Sequence, residues 1–446
     1  MLSSNIPSVN EPFHQASHPN QDVTVFSGNI RITYSDGLQV EGNGQLCFRW
    51  LPNPSLYFKV IRSWGFGIVD LDRISLDIPE ANITGLRGGI SSVSHSVRPP
   101  EISIAGIVLD AVSLCGQGTT LTELAFDIPN YHDYFGNPVR RGQCVERRRL
   151  TLEAKDWLIE INATADLSER LKELKSVGGF VITHAGVIRR TDGSSFSFED
   201  TAEIRNALSM WLSFSRGLWC SPVFWHCKYD SWTYYSVPRL SRWRAVQSWF
   251  PYHECQLVPN TFPRLVELLA DHIWKVPLEL AVYWYVHANE CSGGVEGSLV
   301  LVQAALEMLA WTYLVEYKGI LTEGDWNRLG GAVERVEQLL VEMGIPADFP
   351  SSQCPDLYAW AQPAGRVKSG PDALVGIRNA FVHPTAKNLK KTQEIPSSAK
   401  LQAWQLSLFY LEAIILVILG YDGPIYSRFR SGFPNNVKVD KPWLLI

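Results

Sequence analysis

The chain has 446 residues, of which 46% are hydrophobic and 19% charged, so we expect a folded protein of two or three domains. Its net charge of −5 excludes a generally basic nucleic-acid coat and limits any contact with nucleic acid to a local patch. The eight cysteines form no CxxC pair and no zinc-type cluster with histidines, so we expect reduced thiols, no bound metal and a cytoplasmic location.

Short strands separated by turns are predicted between residues 21 and 150. The segments VTVFSGNIRITY, LQVEGNGQLCFRW, SLYFKVI, RISLDI and ISIAGIVL are bounded by glycine, proline and asparagine. This spacing favours a β-sandwich or a curled antiparallel sheet, with a role in recognition or regulation. Residues 1–20 contain no lysine or arginine and are rich in polar residues and proline, so we expect a flexible tail and not a signal peptide.

Residues 151–255 are predicted to form an α+β region. Helices in ADLSERLKELKSVGG and FEDTAEIRNALSMWLSFSRG flank the strand FVITHAGVIRR, and a β-hairpin is expected to turn at Asp230-Ser231. Strand signals continue across residue 150, so the boundary with the preceding region stays open. The run Arg147-Arg148-Arg149 is interpreted as a strand edge protected by charge.

A run of aromatic and basic residues, WTYYSVPRLSRWRAVQSWF, ends this region. Arg239, Arg242 and Arg244 could hold phosphates while Trp243 stacks on a base, so these four residues are candidates for RNA binding. The alternative is an aromatic segment between domains with solvated arginines, which fits a chain that contains 16 tryptophans.

From residue 256 to 446 the pattern predicts an all-α bundle with antiparallel neighbours. Pro277 is expected to kink or divide its first helix. Leu401–Gly420 is the most apolar segment, but Gln405 and Glu412 interrupt it, so we expect a helix buried in the bundle or at a dimer interface and no membrane span. The predicted fold class is therefore α+β multidomain, with a β-rich and α+β N-terminal region followed by a helical bundle.

The stretch SGPDALVGIRNAFVHP, residues 369–384, presents the chemistry that stands out in the chain. Ser369 suits a helix N-cap, Pro371 the first turn, and Asp372 the positive end of the helix dipole. Pro384 biases His383 away from helical geometry, which places the imidazole at the helix end. A guanidinium, an amide and an imidazole, those of Arg378, Asn379 and His383, are thus expected where an apolar helix stops.

The pattern Arg378-Asn379-x-x-x-His383 resembles the RNA-cleaving motif of the HEPN superfamily, whose helical domains pair so that two motifs form one metal-independent endoribonuclease site. The resemblance implies catalytic roles for Arg378, Asn379 and His383, with Glu307 on a neighbouring helix positioning Arg378. It implies a homodimer or higher homo-oligomer that cleaves transfer or messenger RNA. The layout is similar to ApeA-type anti-phage defence proteins, which implies abortive infection and an N-terminal region that responds to a phage-derived trigger.

Two alternatives stay open at this stage. An arginine and a histidine at a helix C-terminus can simply interact with the terminal carbonyls and the dipole. A HEPN-like domain can also be catalytically silent and serve as a dimerisation or ligand-binding module, with the β-rich half binding a protein. Arg205-Asn206 has the same beginning but no histidine at the required spacing, so it carries no second motif. No Gly-rich phosphate loop or GxSxG elbow occurs, and no cofactor is expected.

Overall fold

The computed structural model describes residues 6–14, 18–63, 73–98, 100–114, 120–227, 232–348, 351–361, 367–383, 385–426 and 428–429. Within these ranges a β-barrel comes first, an eight-stranded sheet with two helices follows, and a helical region completes the chain. The predicted α+β multidomain class is therefore confirmed. The predicted positions of the domain boundaries, 1–20, 21–150, 151–255 and 256–446, stay predictions.

The N-terminal barrel is closed by six antiparallel strands in the order β1-β2-β3-β6-β5-β4, with β4 paired back to β1. Alternate residues such as Ile30 and Ile32 point into a separate apolar core, which the period-two pattern requires. The sequence predicts a curled antiparallel sheet, and the pairing of β4 with β1 closes the six described strands into a barrel without a free edge strand. The strands are β1 (Val23–Tyr34), β2 (Gln39–Arg49), β3 (Ser55–Ser63), β4 (Ile74–Ile78), β5 (Ile83–Val97) and β6 (Pro100–Val108).

The second sheet is antiparallel throughout, with the order β7-β14-β13-β8-β12-β11-β10-β9. The predicted helices are confirmed as α1 (Leu167–Val177), which ends at Gly178, and α2 (Ala202–Arg216). The predicted hairpin is confirmed as β13 with β14, while its turn at Asp230-Ser231 lies outside the described residues. The strands are β7 (Val112–Leu114), β8 (Leu124–Pro129), β9 (Asn137–Arg141), β10 (Cys144–Ala154), β11 (Trp157–Ala163), β12 (Ile182–Arg190), β13 (Val223–His226) and β14 (Thr233–Tyr235).

The three consecutive arginines on β10 do not mark a sheet edge, so that interpretation was wrong. β10 pairs with β11 on one side and with β9 on the other. The side chain of Arg149 is only 3% exposed, and it forms an ion pair with Glu160 at 2.6 Å and a hydrogen bond with Asn162 at 2.8 Å. A charged run cannot reveal which of its members will find a buried acid partner.

Residues 6–14, assigned from the sequence to a flexible tail, lie against the second sheet. The backbone of Pro7 and Val9 exchanges hydrogen bonds with Arg140 on β9. The amides of Phe13 and His14 donate to the buried carboxylate of Asp127 at 3.1 and 3.2 Å. Residues 6–14 are therefore docked on the sheet and do not form a flexible tail, because they make hydrogen bonds with polar groups of the sheet.

Nine α-helices form the described part of the helical region, which confirms the predicted change to all-α structure. Pro277 lies in the first turn of α4, where its missing amide hydrogen costs no helical hydrogen bond, and the division of the helix falls just before it. The helices are α3 (Thr261–Ala270), α4 (Lys275–Glu290), α5 (Gly294–Trp311), α6 (Glu323–Arg328), α7 (Ala332–Glu342), α8 (Pro355–Ala361), α9 (Gly370–Val382), α10 (Ala386–Glu394) and α11 (Ser397–Ile418).

One continuous apolar core joins the second sheet to the helical region, and a second core joins the barrel to sheet-side residues such as Phe180 and Phe224. A buried ion pair between Glu412 of α11 and Arg428 stands at the centre of this junction. Tyr285 and Asn289 of α4 both contact it through hydrogen bonds. The helical region is therefore joined to the sheet by apolar contacts, while the ion pair links α11 to Arg428 within the helical region.

In the described part of the chain, two helical stretches are long and apolar enough to cross a membrane by length and composition alone. They are Gly294–Tyr317, which is α5 with one following π-helical turn, and Ser397–Ile418, which is α11. Of their apolar windows, 56% and 72% are buried inside the protein. The buried and ion-paired Glu412 gives α11 the setting of a core helix, as predicted.

Candidate functional site

Helix α9 presents the predicted motif at its C-terminal end. The helix begins as the sequence predicts, because the Ser369 side chain accepts a hydrogen bond from the amide of Asp372 at 3.1 Å and Pro371 lies in the first turn. Leu374 and Ile377 are buried, so the apolar stripe holds the helix in the bundle. Arg378 is half-buried at the border of this stripe.

His383 ends α9 in an extended conformation with φ −104° and ψ 100°, and its side chain is exposed. Pro384, to which the sequence attributes this geometry, lies outside the described residues. The backbone of the helix end is held from α10, since the side chain of Asn388 donates to the carbonyl oxygens of His383 at 2.9 Å and Asn379 at 3.4 Å. A fixed backbone with an exposed imidazole suits proton transfer to a bound molecule.

Arg378 and Asn379 contact each other directly. Arg378 Nη1 donates to Asn379 Oδ1 at 3.0 Å, while Arg378 Nε is buried without a hydrogen-bond partner in the described part of the chain. The resemblance expects Glu307 to position this arginine. Glu307 instead accepts a hydrogen bond from Gln303 at 2.9 Å, and no ion pair joins it to Arg378 among the residues that the structure describes.

Helix α10 adds positive charge beside the motif. Lys387 and Lys390 are exposed on it, and Lys391 donates to the carbonyl oxygen of Gly376 on α9 at 3.4 Å. Lys390 has Glu394 as an acidic neighbour at 3.9 Å. The end of α9 is thus a local basic patch on an acidic chain, and such patches attract phosphates.

The four candidate RNA-binding residues of the aromatic and basic run lie in a different place and do not act as one group. Arg239 stands over the rings of Trp219 and Tyr283, and Arg242 donates to the carbonyl oxygen of Pro52 in the barrel. Arg244 donates to the carbonyl oxygen of Glu290 at 3.0 Å. The run therefore connects barrel, sheet and helices, which supports the alternative of an inter-domain segment.

Trp243 and Arg244 also line a large cavity where the second sheet, the segment of residues 243–253 and Tyr426 meet. This junction cavity has a volume of about 1250 Å³, and its wall includes Arg148, Arg216 and Tyr252. No local sequence pattern predicts this cavity, because its walls come from the loop after β8, β10, α1, the end of α2 and the residues that follow Ser241. Only the fold brings residues so far apart in sequence together.

Metal chemistry finds no support at either place. No group of three or more His, Cys, Asp or Glu side chains stands close enough to hold a metal ion within the described ranges. Burial raises the pKa of Cys220 to about 12 and of Cys255 to about 11. These two thiols therefore stay protonated at neutral pH and are core residues.

Comparison with known proteins gives similarity to YopA. A family model described as the YopA central domain matches residues 116–246, and one described as the YopA C-terminal domain matches residues 271–438. The chain is 26% identical over 435 residues to the SPbeta prophage-derived uncharacterized protein YopA of Bacillus subtilis strain 168, and the match covers 95% of each chain. No solved structure matches the chain significantly.

Proposed function

We propose that this chain is a metal-independent endoribonuclease of the HEPN type that acts in anti-phage defence. The observation that carries the proposal is the joint presentation of Arg378, Asn379 and His383 at an exposed helix end. Arg378 has a single intramolecular hydrogen-bond partner there, and no acid neutralises it among the described residues. The similarity to a protein whose name places it in a prophage agrees with a role in phage biology.

The chemistry needs a base, an acid and a positive charge at the phosphate. One histidine removes the proton of the ribose 2′-hydroxyl, whose oxygen attacks phosphorus and forms a 2′,3′-cyclic phosphate. The bond from phosphorus to the 5′-oxygen breaks, and a second histidine gives its proton to that oxygen. Arg378 stabilises the added negative charge of the pentacovalent phosphate.

A dimer supplies the second histidine, because each chain contributes His383 once. A two-fold axis near the end of α9 would bring both copies together, as in any isologous interface. Val382 and Leu389 are exposed apolar residues on either side of His383, with 39% and 56% of their surface accessible. Exposed apolar side chains next to the motif suit a contact with a second copy. The N-terminal barrel and sheet would then regulate the enzyme, and transfer or messenger RNA would be its substrate.

The test is cleavage of total RNA by the purified dimer in EDTA. We expect wild type to release fragments ending in a 2′,3′-cyclic phosphate, and His383→Ala to lower the rate by about 100-fold or more, the usual contribution of general acid–base catalysis. His272→Ala is the matched control, because this histidine is exposed on the loop between α3 and α4. Equal cleavage by His383→Ala and wild type would refute the assignment.

A second candidate is a catalytically silent HEPN-like module that dimerises or binds a ligand. The hydrogen bond of Glu307 to Gln303 favours it, because the arginine then lacks its expected carboxylate. This candidate predicts that wild-type dimer leaves RNA intact both alone and in extract from infected cells. Toxicity of the wild type in a host, absent with His383→Ala, would exclude the silent module.

A further inference from the structure

The junction cavity has an excess of positive charge. Five cationic side chains line it in the described part of the chain, against the two carboxylates of Asp133 and Glu146. Both carboxylates already have arginine partners, Arg148 for Asp133 and Arg141 for Glu146, each at 3.2 Å. On a chain with a net charge of −5, this concentration of cations is local and points to an anionic ligand. The cations are Arg147, Arg148, Lys175, Arg216 and Arg244.

Arg216 is the deepest of these cations. It is 5% exposed at the end of α2, and it donates through Nε to the carbonyl oxygen of Asn130 at 3.0 Å and through Nη2 to that of Arg244 at 2.9 Å. No carboxylate pairs with it among the residues that the structure describes. A buried guanidinium without an acid is costly, since its desolvation is not repaid by an opposite charge. A bound phosphate would supply that charge in the fork geometry that arginine prefers.

His132 provides a second and independent observation. It lines the same cavity and is 8% exposed, yet neither ring nitrogen has a hydrogen-bond partner in the described structure. Burial lowers its pKa, so the ring is neutral and holds one unused donor and one unused acceptor. Both ring nitrogens are covered by neighbouring atoms, so a ligand must displace part of the wall to reach them. An unpaired buried polar group costs about 1–3 kcal/mol, which such a contact would recover.

Aromatic rings complete the wall. Trp243, Tyr252 and Tyr426 are only partly buried, and Phe135 is 47% exposed with the guanidinium of Arg147 at 4.8 Å from its centroid. Rings that face a cavity together with arginines offer stacking surfaces for a planar base. The volume of about 1250 Å³ exceeds the usual range for small-molecule pockets, up to about 1,000 Å³, and leaves room for a base, a sugar and several phosphates.

We propose that the junction cavity binds a free nucleotide, with its phosphates at Arg216 and the neighbouring cations and its base among the aromatic rings. A free nucleotide is favoured over an RNA strand, because the deepest cation, Arg216, is only 5% exposed and a terminal phosphate enters such a recess more readily than a phosphate within a continuous backbone. The ligand would contact the sheet, α1, the end of α2 and Tyr426 beyond α11 at once. It would therefore join the sheet to the helical region.

The experiment is calorimetric titration of the full-length protein with ATP, adenosine, inorganic pyrophosphate and a ten-nucleotide single-stranded RNA, without any cleavage substrate. We expect ATP to bind more tightly than adenosine and pyrophosphate, because base and phosphates both contribute. Arg147→Ala/Lys175→Ala, at two exposed positions of the wall, should weaken ATP binding by about tenfold or more, equal to about 1.4 kcal/mol.

Two further variants sharpen this test. Arg216→Lys keeps the buried charge but loses the fork, so it should also weaken binding while the far-UV spectrum stays unchanged. Arg239→Ala/Arg242→Ala is the matched control, since both arginines are exposed in the same run but outside the cavity wall. His383→Ala should bind ATP like wild type, which separates this proposal from the ribonuclease proposal.

Several results would overturn the proposal. Absence of ATP binding to folded wild type would overturn it. Equal binding of pyrophosphate and ATP would overturn it as well, because it would show an anion site without base recognition. Tight binding of the RNA strand alone would show a polymer surface instead. Unchanged ATP affinity in both cavity variants would place the nucleotide elsewhere.

Discussion

Removing one partner of the buried ion pair between Glu412 and Arg428 should destabilise the protein strongly. The two side chains are 0% and 2% exposed, with Arg428 Nε at 2.7 Å from Glu412 Oε2 and Nη2 at 2.6 Å from Oε1. In Arg428→Met the hydroxyl of Tyr285, at 2.6 Å, is the one donor that the carboxylate keeps among the described residues. Loss of one partner from a buried pair costs about 3–5 kcal/mol, and we expect that loss in the free energy of unfolding.

The assay is urea unfolding followed by tryptophan fluorescence, because Trp249 and Trp274 are buried in the same core. The double variant Glu412→Leu/Arg428→Met should recover at least part of the loss, since no unpaired charge then remains. Arg328→Met is the control, as it breaks an exposed pair with Asp325 and should cost about 0–1 kcal/mol. A single variant as stable as this control, or a double variant less stable than Arg428→Met, would refute the reasoning.

Three further predictions concern the β-rich half. In the barrel, Gly106→Ala should lower the free energy of unfolding by about 1–3 kcal/mol, because the added Cβ would overlap the carbonyl oxygen of Gly89. Gly89→Ala is the control, since its Cβ meets no atom within 4 Å, and urea unfolding measures the free energy of both variants. Phe224→Ala should cost about 3–5 kcal/mol in the same assay and expose the barrel to protease, because its ring packs on Phe48 and Trp50 at the barrel–sheet contact. Burial lowers the pKa of His184 from 6.5 to about 3, so the folded protein keeps this histidine neutral where the unfolded chain protonates it. The free energy of unfolding should therefore fall by about 1.4 kcal/mol per pH unit as the pH drops from about 6.5 toward 3. His184→Phe should abolish that part of the pH dependence, and parallel profiles of unfolding free energy against pH in both proteins would contradict the prediction.

Local signals predicted the elements that depend on few neighbouring residues. The cap at Ser369, the end of α1 at Gly178 and the hairpin of β13 and β14 each follow from residues within one or two turns of chain. The barrel required more, because the pairings of β1 with β4 and of β3 with β6 join segments far apart in sequence. The alternation of apolar and polar residues predicts which face of a strand is buried, but it does not predict which strand will pair with it.

The two candidate sites also differ in how far their residues could be predicted from local sequence. The arrangement of Arg378, Asn379 and His383 lies on one helix end, so its spacing was visible in the sequence. The position of Glu307 depended on how α5 packs against α9, and the expected contact with Arg378 is replaced by one with Gln303. The junction cavity was missed entirely, since Arg216 reads as an ordinary basic residue in the last turn of a helix. Its isolation from acids is a property of tertiary packing.

The motif and the junction cavity are connected through α11, which gives a last prediction. Helix α11 packs against α9 at the motif side, and the chain after it reaches the cavity wall at Tyr426, whose amide donates to the carbonyl oxygen of Trp249 at 2.8 Å. A nucleotide in the cavity should therefore change RNA affinity at the motif. Linkage requires that RNA change nucleotide affinity by the same factor, typically about 5–150-fold for coupled sites.

Both affinities are measured in His383→Ala, which binds RNA without cleaving it on the proposed mechanism. Titration of RNA with and without ATP gives one factor, and titration of ATP with and without RNA gives the other. Arg147→Ala/Lys175→Ala should need about tenfold more ATP to reach the same RNA affinity, with the factor at saturating ATP unchanged, because it weakens nucleotide binding and leaves the motif untouched. Two affinities that are each independent of the other ligand would show that the cavity and the end of α9 act separately, since a coupling present in one titration must appear in the other.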